Sequence, residues 1–358
     1  MPIICKLTET TYCMVKRFKK LIGRYRNLEQ VYVVPYRSYG TYSHLYIKGR
    51  ALDNEPLKII QDQSVFKTIK NTWKQFDSFE IPDAKIELQI RDQLDVLTKT
   101  NDEGYFLIDK TIEQNLAEHA TEEGWVSYHI FYRSELEERT ELLGDPFEGE
   151  FLVPPVDAEF GVISDIDDTI LHTGVTSFLK WRLLKNSLLT NAYARIPLKG
   201  APEFYQKLHL GASGKNKNPM FYLSNSPWNL YEYLKLFLDH NEFPKGAILL
   251  RDLRTPFESA VKPEKPHKQK EITNILKTYP DMKFILIGDS GEHDASIYTD
   301  IAAQYSDRIL AIYLRSVRHK KRMQRVRSLI DNFDTVPVMM VEKSQDAVDH
   351  ARENGWIK

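Results

Sequence analysis

Val162-Ile163-Ser164-Asp165-Ile166-Asp167-Asp168-Thr169 reads as a short β-branched strand that runs out into two carboxylates spaced i, i+2, followed by a hydroxyl. Alternate residues of a strand point the same way, so Asp165 and Asp167 leave the end of an apolar strand on one side. That end is where open α/β sheets bind ligands. Two anions there suit a hard cation. A carboxylate can attack phosphorus to form an aspartyl-phosphate, a second can protonate the leaving alkoxide, and Mg²⁺ can bridge nucleophile and phosphoryl oxygen. The same residues also suit an acidic turn that caps a following helix, so this stretch alone leaves both readings open.

Three further elements arrive in an order that this chemistry requires. Met220-Phe221-Tyr222-Leu223 is another short apolar run and ends in Ser224-Asn225-Ser226-Pro227; a hydroxyl at a strand end, beside the N–H groups of a helix's first turn, can hold phosphoryl oxygens. Lys262-Pro263-Glu264-Lys265-Pro266-His267-Lys268-Gln269-Lys270 then leads into a helix with apolar positions Ile272, Ile275, Leu276 and Tyr279. Lys268 falls one turn before Ile272 on the buried face and must find an anion there, whereas Lys270 falls on the solvated side. Lys283-Phe284-Ile285-Leu286-Ile287 gives a third buried strand, ending in Gly288-Asp289-Ser290-Gly291-Glu292-His293-Asp294. Its glycines permit a tight loop, and Asp289 and Asp294 add carboxylates to bind a metal or to steer Lys268. Taken singly, a capping serine, a solvated basic loop and a Gly-Asp-Ser turn are ordinary features.

Together the four motifs resemble the haloacid-dehalogenase-like phosphatase superfamily, whose pattern is Asp-x-Asp-x-Thr, then Ser or Thr, then Lys, then Gly-Asp-x-x-x-x-Asp. The wording of Ser164-Asp165-Ile166-Asp167-Asp168-Thr169-Ile170, Ser224-Asn225-Ser226-Pro227-Trp228 and Ile287-Gly288-Asp289-Ser290-Gly291, with Leu250-Arg251-Asp252 and His267-Lys268, is similar to the actin-patch phosphatidate phosphatase catalytic family and its bacterial relatives, over roughly Phe151 to Ile330. The resemblance implies Asp165 as nucleophile and metal ligand, and Asp167 as general acid/base with its carbonyl on Mg²⁺. It implies Thr169 as an orienting hydroxyl, Ser224 and Lys268 as phosphoryl holders, and Asn225 beside Lys268 facing the substrate. Asp289 and Asp294 are then the remaining acidic pair on the metal side. The substrate it implies is phosphatidate or a similar lipid phosphate; one fold hosts many leaving groups.

Composition fits an enzyme of two domains: 358 residues, 28% charged, 42% hydrophobic and a formal net charge of −1. Cys5 and Cys13 are the only cysteines, which gives no disulfide framework and no zinc site by themselves. The longest apolar runs are strand-sized, below the ~20 residues of a spanning helix, and the first residues hold no apolar core of a secretory signal. Cytosolic residence is expected, with peripheral membrane contact as an option.

Two regions bear on such contact. Met14, Val15, Phe18, Leu21, Ile22 and Tyr25 recur at helical spacing among Lys16, Arg17, Lys19, Lys20, Arg24 and Arg26. This predicts a basic amphipathic helix over 1–28 that either lies on an anionic bilayer or packs on its own domain. A helix over Ser177–Asn191, with Phe178, Trp181, Leu184 and Leu188, falls between the first two motifs, where this superfamily can hold a small cap that shapes the pocket, and the same apolar stripe equally suits core packing. After the strand Ile309–Leu314 comes a basic cluster of Arg315, Arg318, Lys320, Lys321, Arg322, Arg325 and Arg327, able to meet a polyanion or only solvent. Pro337–Val341 and a helix over Ser344–Asn354 close the domain.

Between 29 and 140 the pattern changes to alternating runs, Gln30–Val34, Ser43–Ile47, Lys85–Ile90, Tyr105–Ile108 and Trp125–Ile130, with a hairpin-type turn at Asn101–Gly104. These predict an immunoglobulin- or transthyretin-like β-sandwich. Pro and Gly between Glu141 and Pro155 predict a linker. The expected architecture is thus an all-β sandwich domain, then a parallel-sheet, Rossmann-like phosphatase domain over 156–358. The expected function is Mg²⁺-dependent hydrolysis of a lipid phosphate met at an anionic membrane surface, with no clear nucleic-acid partner. The alternatives are a phosphatase of a soluble or nucleic-acid phosphate ester and a non-enzymatic membrane-binding adaptor, which would not need the full set of motif residues.

Overall fold

The computed structural model describes residues 31–53, 81–91, 94–133, 142–167, 169–170, 199–251, 266–290, 293–316 and 320–358. The helices expected over 1–28 and Ser177–Asn191 lie outside these residues. So does Arg318 of the basic cluster.

The N-terminal half is built from β1 (Tyr32–Pro35), β2 (Ser38–Thr41), β3 (His44–Leu52), β4 (Lys85–Ile90), β5 (Leu94–Lys99), β6 (Tyr105–Thr111), β7 (Trp125–Arg133) and β8 (Leu142–Leu152). Alternation turns Ile47, Ile86, Leu88, Val126, Ile130 and Phe151 into one buried core. The turn before β6 forms as its chemistry requires. Asn101 Oδ1 accepts the N–H groups of Glu103 and Tyr105, both at 2.9 Å, and Gly104 takes φ +75°.

Two expectations are corrected here. The strands do not divide into two hydrogen-bonded sheets: they pair as one eight-stranded sheet in the order β1-β3-β2-β8-β7-β4-β5, with β6 on the other edge of β3. Nine-residue β3 is the reason, because it is long enough to serve β2 at one end, β1 at the other and β6 along its opposite edge. The stretch expected as a linker over 141–155 is instead largely β8, eleven residues paired with β7 and β2. Pro146 is accommodated because the register with β7 shifts between Ile130 and Tyr132, and bulges tolerate proline. Gly149 is there because the Tyr128 ring lies where its Cβ would be.

The C-terminal half is a six-stranded parallel sheet of β9 (Gly161–Asp165), β10 (Met220–Pro227), β11 (Ala247–Arg251), β12 (Phe284–Asp289), β13 (Ile309–Arg315) and β14 (Val338–Val341). The order is β11-β10-β9-β12-β13-β14. Consecutive strands move outward in one direction from β9 and then in the other, so the order reverses between β9 and β12. A crevice opens at the carboxyl ends of strands at such a point. Both faces are covered, which is why the strands read as continuous apolar runs. Helices α1 (Ala201–Leu210), α2 (Tyr231–His240) and α6 (Ser344–Glu353) pack on one face. Helices α3 (His267–Thr278), α4 (Asp294–Gln304) and α5 (Lys320–Asp331) pack on the other.

The two sheets meet at the β11 edge. The Ile248 N–H donates to the Arg37 carbonyl at 2.9 Å, and the Arg37 guanidinium grips both carboxylate oxygens of Asp239 at 2.7 and 2.9 Å. Tyr36 stacks on Trp228 with centroids 4.0 Å apart, and Tyr39 meets Phe221 edge-on. Lys48 Nζ reaches Glu271 of α3 at 2.8 Å. Among the described residues no helix is long and apolar enough to cross a membrane.

Candidate active site

Asp165 ends β9 beside the switch point and is completely buried. Its neighbours arrive from four places. Thr169, four residues on, donates its hydroxyl to Asp165 Oδ2 at 3.1 Å. From the first turn of α3, Lys268 places Nζ 2.8 Å from Asp165 Oδ1 and 2.6 Å from Asp294 Oδ1. The expected division of α3 holds, with Lys268, Ile272, Ile275 and Leu276 inside and Lys270 exposed. Asp289 ends β12 and Asp294 begins α4, and both are buried.

One carboxylate oxygen from each of Asp165, Asp289 and Asp294 lies within 4.8 Å of the others. Burial pushes the Asp165 carboxyl well above the ordinary range; Lys268 pulls it down, and the carboxylates of Asp294, Asp167 and Asp289 push it up again. Among the described residues, one ammonium is thus set against four carboxylates. Gly288 makes the crowding possible: a Cβ there would sit 2.7 Å from both Asp294 Oδ2 and the Tyr298 ring.

On the other side of Asp165, Ser224 of β10 is fully buried and donates to Asp167 Oδ2, while its oxygen accepts the Ser226 N–H at 2.8 Å. Asp167 is half-buried, and Ser226 Oγ lies 3.5 Å from its other oxygen. Asn225 follows Ser224 on the same strand, half-buried. The structure thus brings Asp165, Thr169, Lys268, Asp289 and Asp294 into one cluster, with Asp167 and Ser224 joined beside it.

Sequence inspection missed Tyr205. Its hydroxyl donates to Ser164 Oγ at 2.6 Å, and that serine in turn donates to the Asp165 carbonyl at 2.8 Å. The pair braces the strand end from the face opposite Lys268. The signal was available in the apolar spacing of Ala201, Phe204, Tyr205 and Leu208, which turns Tyr205 toward the sheet.

A parallel α/β sheet with a buried, lysine-held acidic cluster at its switch point is the class that fold and site define. The segment of residues 160–316 matches the family described as "Phosphatidate phosphatase APP1, catalytic domain". The resemblance drawn from the motifs holds over it. Phosphatidate phosphatase APP1 of Saccharomyces cerevisiae is 37% identical over 181 residues, covering 50% of this chain and 29% of the relative. An uncharacterized protein of Schizosaccharomyces pombe is 27% identical over 253 residues, 66% of this chain and 38% of the relative. The chain therefore spans well under half the length of the curated relatives it matches. Among solved structures, a carbohydrate esterase aligns at 11% identity over 90% of each chain with a TM-score of 0.24. A Bifidobacterium dentium β-glucuronidase aligns at 7% over 87% of this chain and 60% of its own, also at 0.24. Neither carries an argument at that score.

Proposed function

We propose that this chain is a Mg²⁺-dependent phosphomonoesterase acting on phosphatidate or a similar lipid phosphate. One observation carries the proposal: Asp165, at a parallel strand end, is held by Lys268 at 2.8 Å and by Thr169 at 3.1 Å, with two further buried carboxylates beside it. Strand order supports a Rossmann-like domain of the haloacid-dehalogenase kind. The substrate class is drawn from the name of the yeast relative and the family of residues 160–316.

The donor set fits Mg²⁺. It consists of hard oxygens, converging, buried, and, among the described residues, in excess over the one ammonium of Lys268. Asp165, Asp289 and the Asp167 carbonyl would hold the ion, with Asp294 as the outer carboxylate that also fixes Lys268. When bound, the ion supplies the positive charge that lets a carboxylate and a phosphate approach each other. Thr169 and Lys268 fix one oxygen each of Asp165 and so aim its carboxylate. Asp165 attacks phosphorus, forming the acyl O–P bond as the P–O bond to the alcohol breaks, and Asp167 gives its proton to the departing oxygen. Asp167 then takes a proton from water, which attacks the same phosphorus and restores the Asp165 carboxylate. Ser224 positions Asp167 through their hydrogen bond, and Lys268 stabilises charge on the transferring group. A lipid substrate sets the reaction at an anionic membrane surface, with peripheral contact by a cytosolic chain.

The test is phosphate release from phosphatidate in mixed micelles, with Mg²⁺ against excess chelator and with Asp165→Asn as control. Release requiring both Mg²⁺ and Asp165 is the expected result. Turnover of an aryl phosphate with silence on lipid would keep the chemistry and reject the lipid; silence on both would reject the enzyme.

A further inference from the structure

Building on the phosphatase reading above, we infer that Arg315 is a substrate-binding residue whose guanidinium receives the non-bridging oxygens of the phosphate attacked at Asp165. Arg315 is the last residue of β13 and pairs in register with Asp289, so it stands at the sheet end that carries the acidic cluster. Alternation with Leu314 places it on the face shared with Tyr313, the face covered by α1 and α6. There it lines a cavity with Thr169, Phe204, Tyr205, Tyr313 and Val341. Thr169 is the residue whose hydroxyl donates to Asp165, so one side chain separates this cavity from the attacking carboxylate.

Charge completes the case. Among the described residues, Arg37 is engaged by Asp239 and Glu150, Arg133 by Glu87, and Arg308 by the carbonyls of Met282 and Tyr279. Arg315 is half-buried and, among the described residues, has no carboxylate within ion-pair distance. Partial burial of a guanidinium without an anion is costly and calls for one. The acidic cluster has the converse need. Lys268 already gives two of its three N–H donors to carboxylates and Ser224 gives its proton to Asp167, so an incoming phosphate dianion needs donors beyond the one Lys268 has left. A planar fork of N–H donors matches two phosphoryl oxygens. The walls of Phe204, Tyr313 and Val341 are mostly apolar, so a charge contact there is screened less than in open water.

The test uses the full chain, para-nitrophenyl phosphate as substrate and inorganic phosphate as a ligand measured by calorimetry. Arg315→Gln is expected to raise KM and to weaken inorganic phosphate binding about tenfold or more, the factor for one hydrogen bond to a charged group. Arg315→Lys, which keeps the charge and loses the fork, is expected to fall between. An active Arg315→Gln enzyme with wild-type KM and wild-type phosphate affinity overturns the inference and leaves the phosphatase reading intact. Should circular dichroism show Arg315→Gln unfolded, Arg315→Lys decides: several-fold weaker phosphate binding supports the role, and wild-type affinity overturns it. A wild-type chain that turns over no phosphate ester sinks the function, and the phosphate-binding comparison still judges Arg315, since equal binding by wild type and variant, or none by wild type, rejects it.

Discussion

Lys268 and Glu271 sit one turn apart at the start of α3, and each is a buried charge met by an opposite charge, yet the two centres differ in kind. Glu271 faces Lys48 at 2.8 Å with His267 at 4.0 Å. Burial pushes its carboxyl up, but Lys48 and then His267 pull harder, and it ends below the ordinary glutamate range. Lys48 moves upward for the matching reason: burial pushes it down, but Glu271 and Tyr46 together push it up further. That pair is balanced and ties the N-terminal sheet to α3. Around Lys268 the count is unequal, and Asp165 moves the opposite way, well above the carboxylate range. A balanced buried pair is a strut. An unbalanced one stores a demand for positive charge that a ligand can meet.

The sharpest way to break this contrast is Asp165→Asn. Turnover is expected to fall by about 10³-fold or more, as when a nucleophile is removed. The melting temperature should not fall, because the substitution relieves carboxylate crowding; wild-type Mg²⁺-dependent phosphate release by the variant would end the nucleophile assignment. At the strut the expectation reverses. Lys48→Met leaves Glu271 buried without its main partner and should cost about 3 kcal/mol of stability, measured by urea unfolding. Lys48→Met/Glu271→Leu should recover most of that loss, and a double variant no more stable than the single one would show that the pair is not balanced.

Mg²⁺ tests the demand for charge directly. Saturating ion at about 100 times its Kd should stabilise the chain by about 2.7 kcal/mol, read as a chelator-reversible rise in melting temperature that shrinks in Asp289→Asn. No rise with Mg²⁺ in the wild type would argue against the acidic cluster as its site. The smallest effect is in pH. Glu271, lowered in the folded state, contributes stability above the unfolded carboxylate pKa of about 4.3, and that contribution is lost as pH falls through its folded value. Asp165, raised in the folded state, costs stability above that range and recovers it as pH falls. Urea midpoints from pH 5 to about pH 3 should therefore drop more steeply for wild type than for Glu271→Gln, and less steeply for wild type than for Asp165→Asn. Parallel curves for all three would erase the distinction.

What could be read from the sequence follows the range of the forces involved. β9, β10, β12 and β13 were legible because apolar runs bounded by turn residues mark strands, and the acidic ends of β9 and β12 mark chemistry. Lys268 was legible because helical spacing put it on the face of Ile272. The Lys48–Glu271 pair was not, since its partners lie 223 residues apart and each looks like a surface charge until the sheets are assembled. β8 was hidden by Pro146 and Gly149, whose tolerance depends on a register shift and a tyrosine on the partner strand. Arg315 was visible only as one member of a basic run. Its separate meaning lies in being the last residue of a strand that ends beside Asp289, and strand position, not charge density, was the available signal.

The grip of Arg37 on β11 has a practical side. Ile248 gives its backbone proton to the Arg37 carbonyl, Tyr279 gives its hydroxyl proton to the Gly40 carbonyl, and Tyr39 is fully buried against Phe221. A fragment cut at residue 160, where the family match begins, would keep every motif residue and lose the wall against which β11, Phe221 and Trp228 are sealed. Such a fragment would carry a bare strand edge and an aromatic scar, the ingredients of self-association. For expression, for truncation series and for any swapping of modules between relatives, the two halves travel as one cargo.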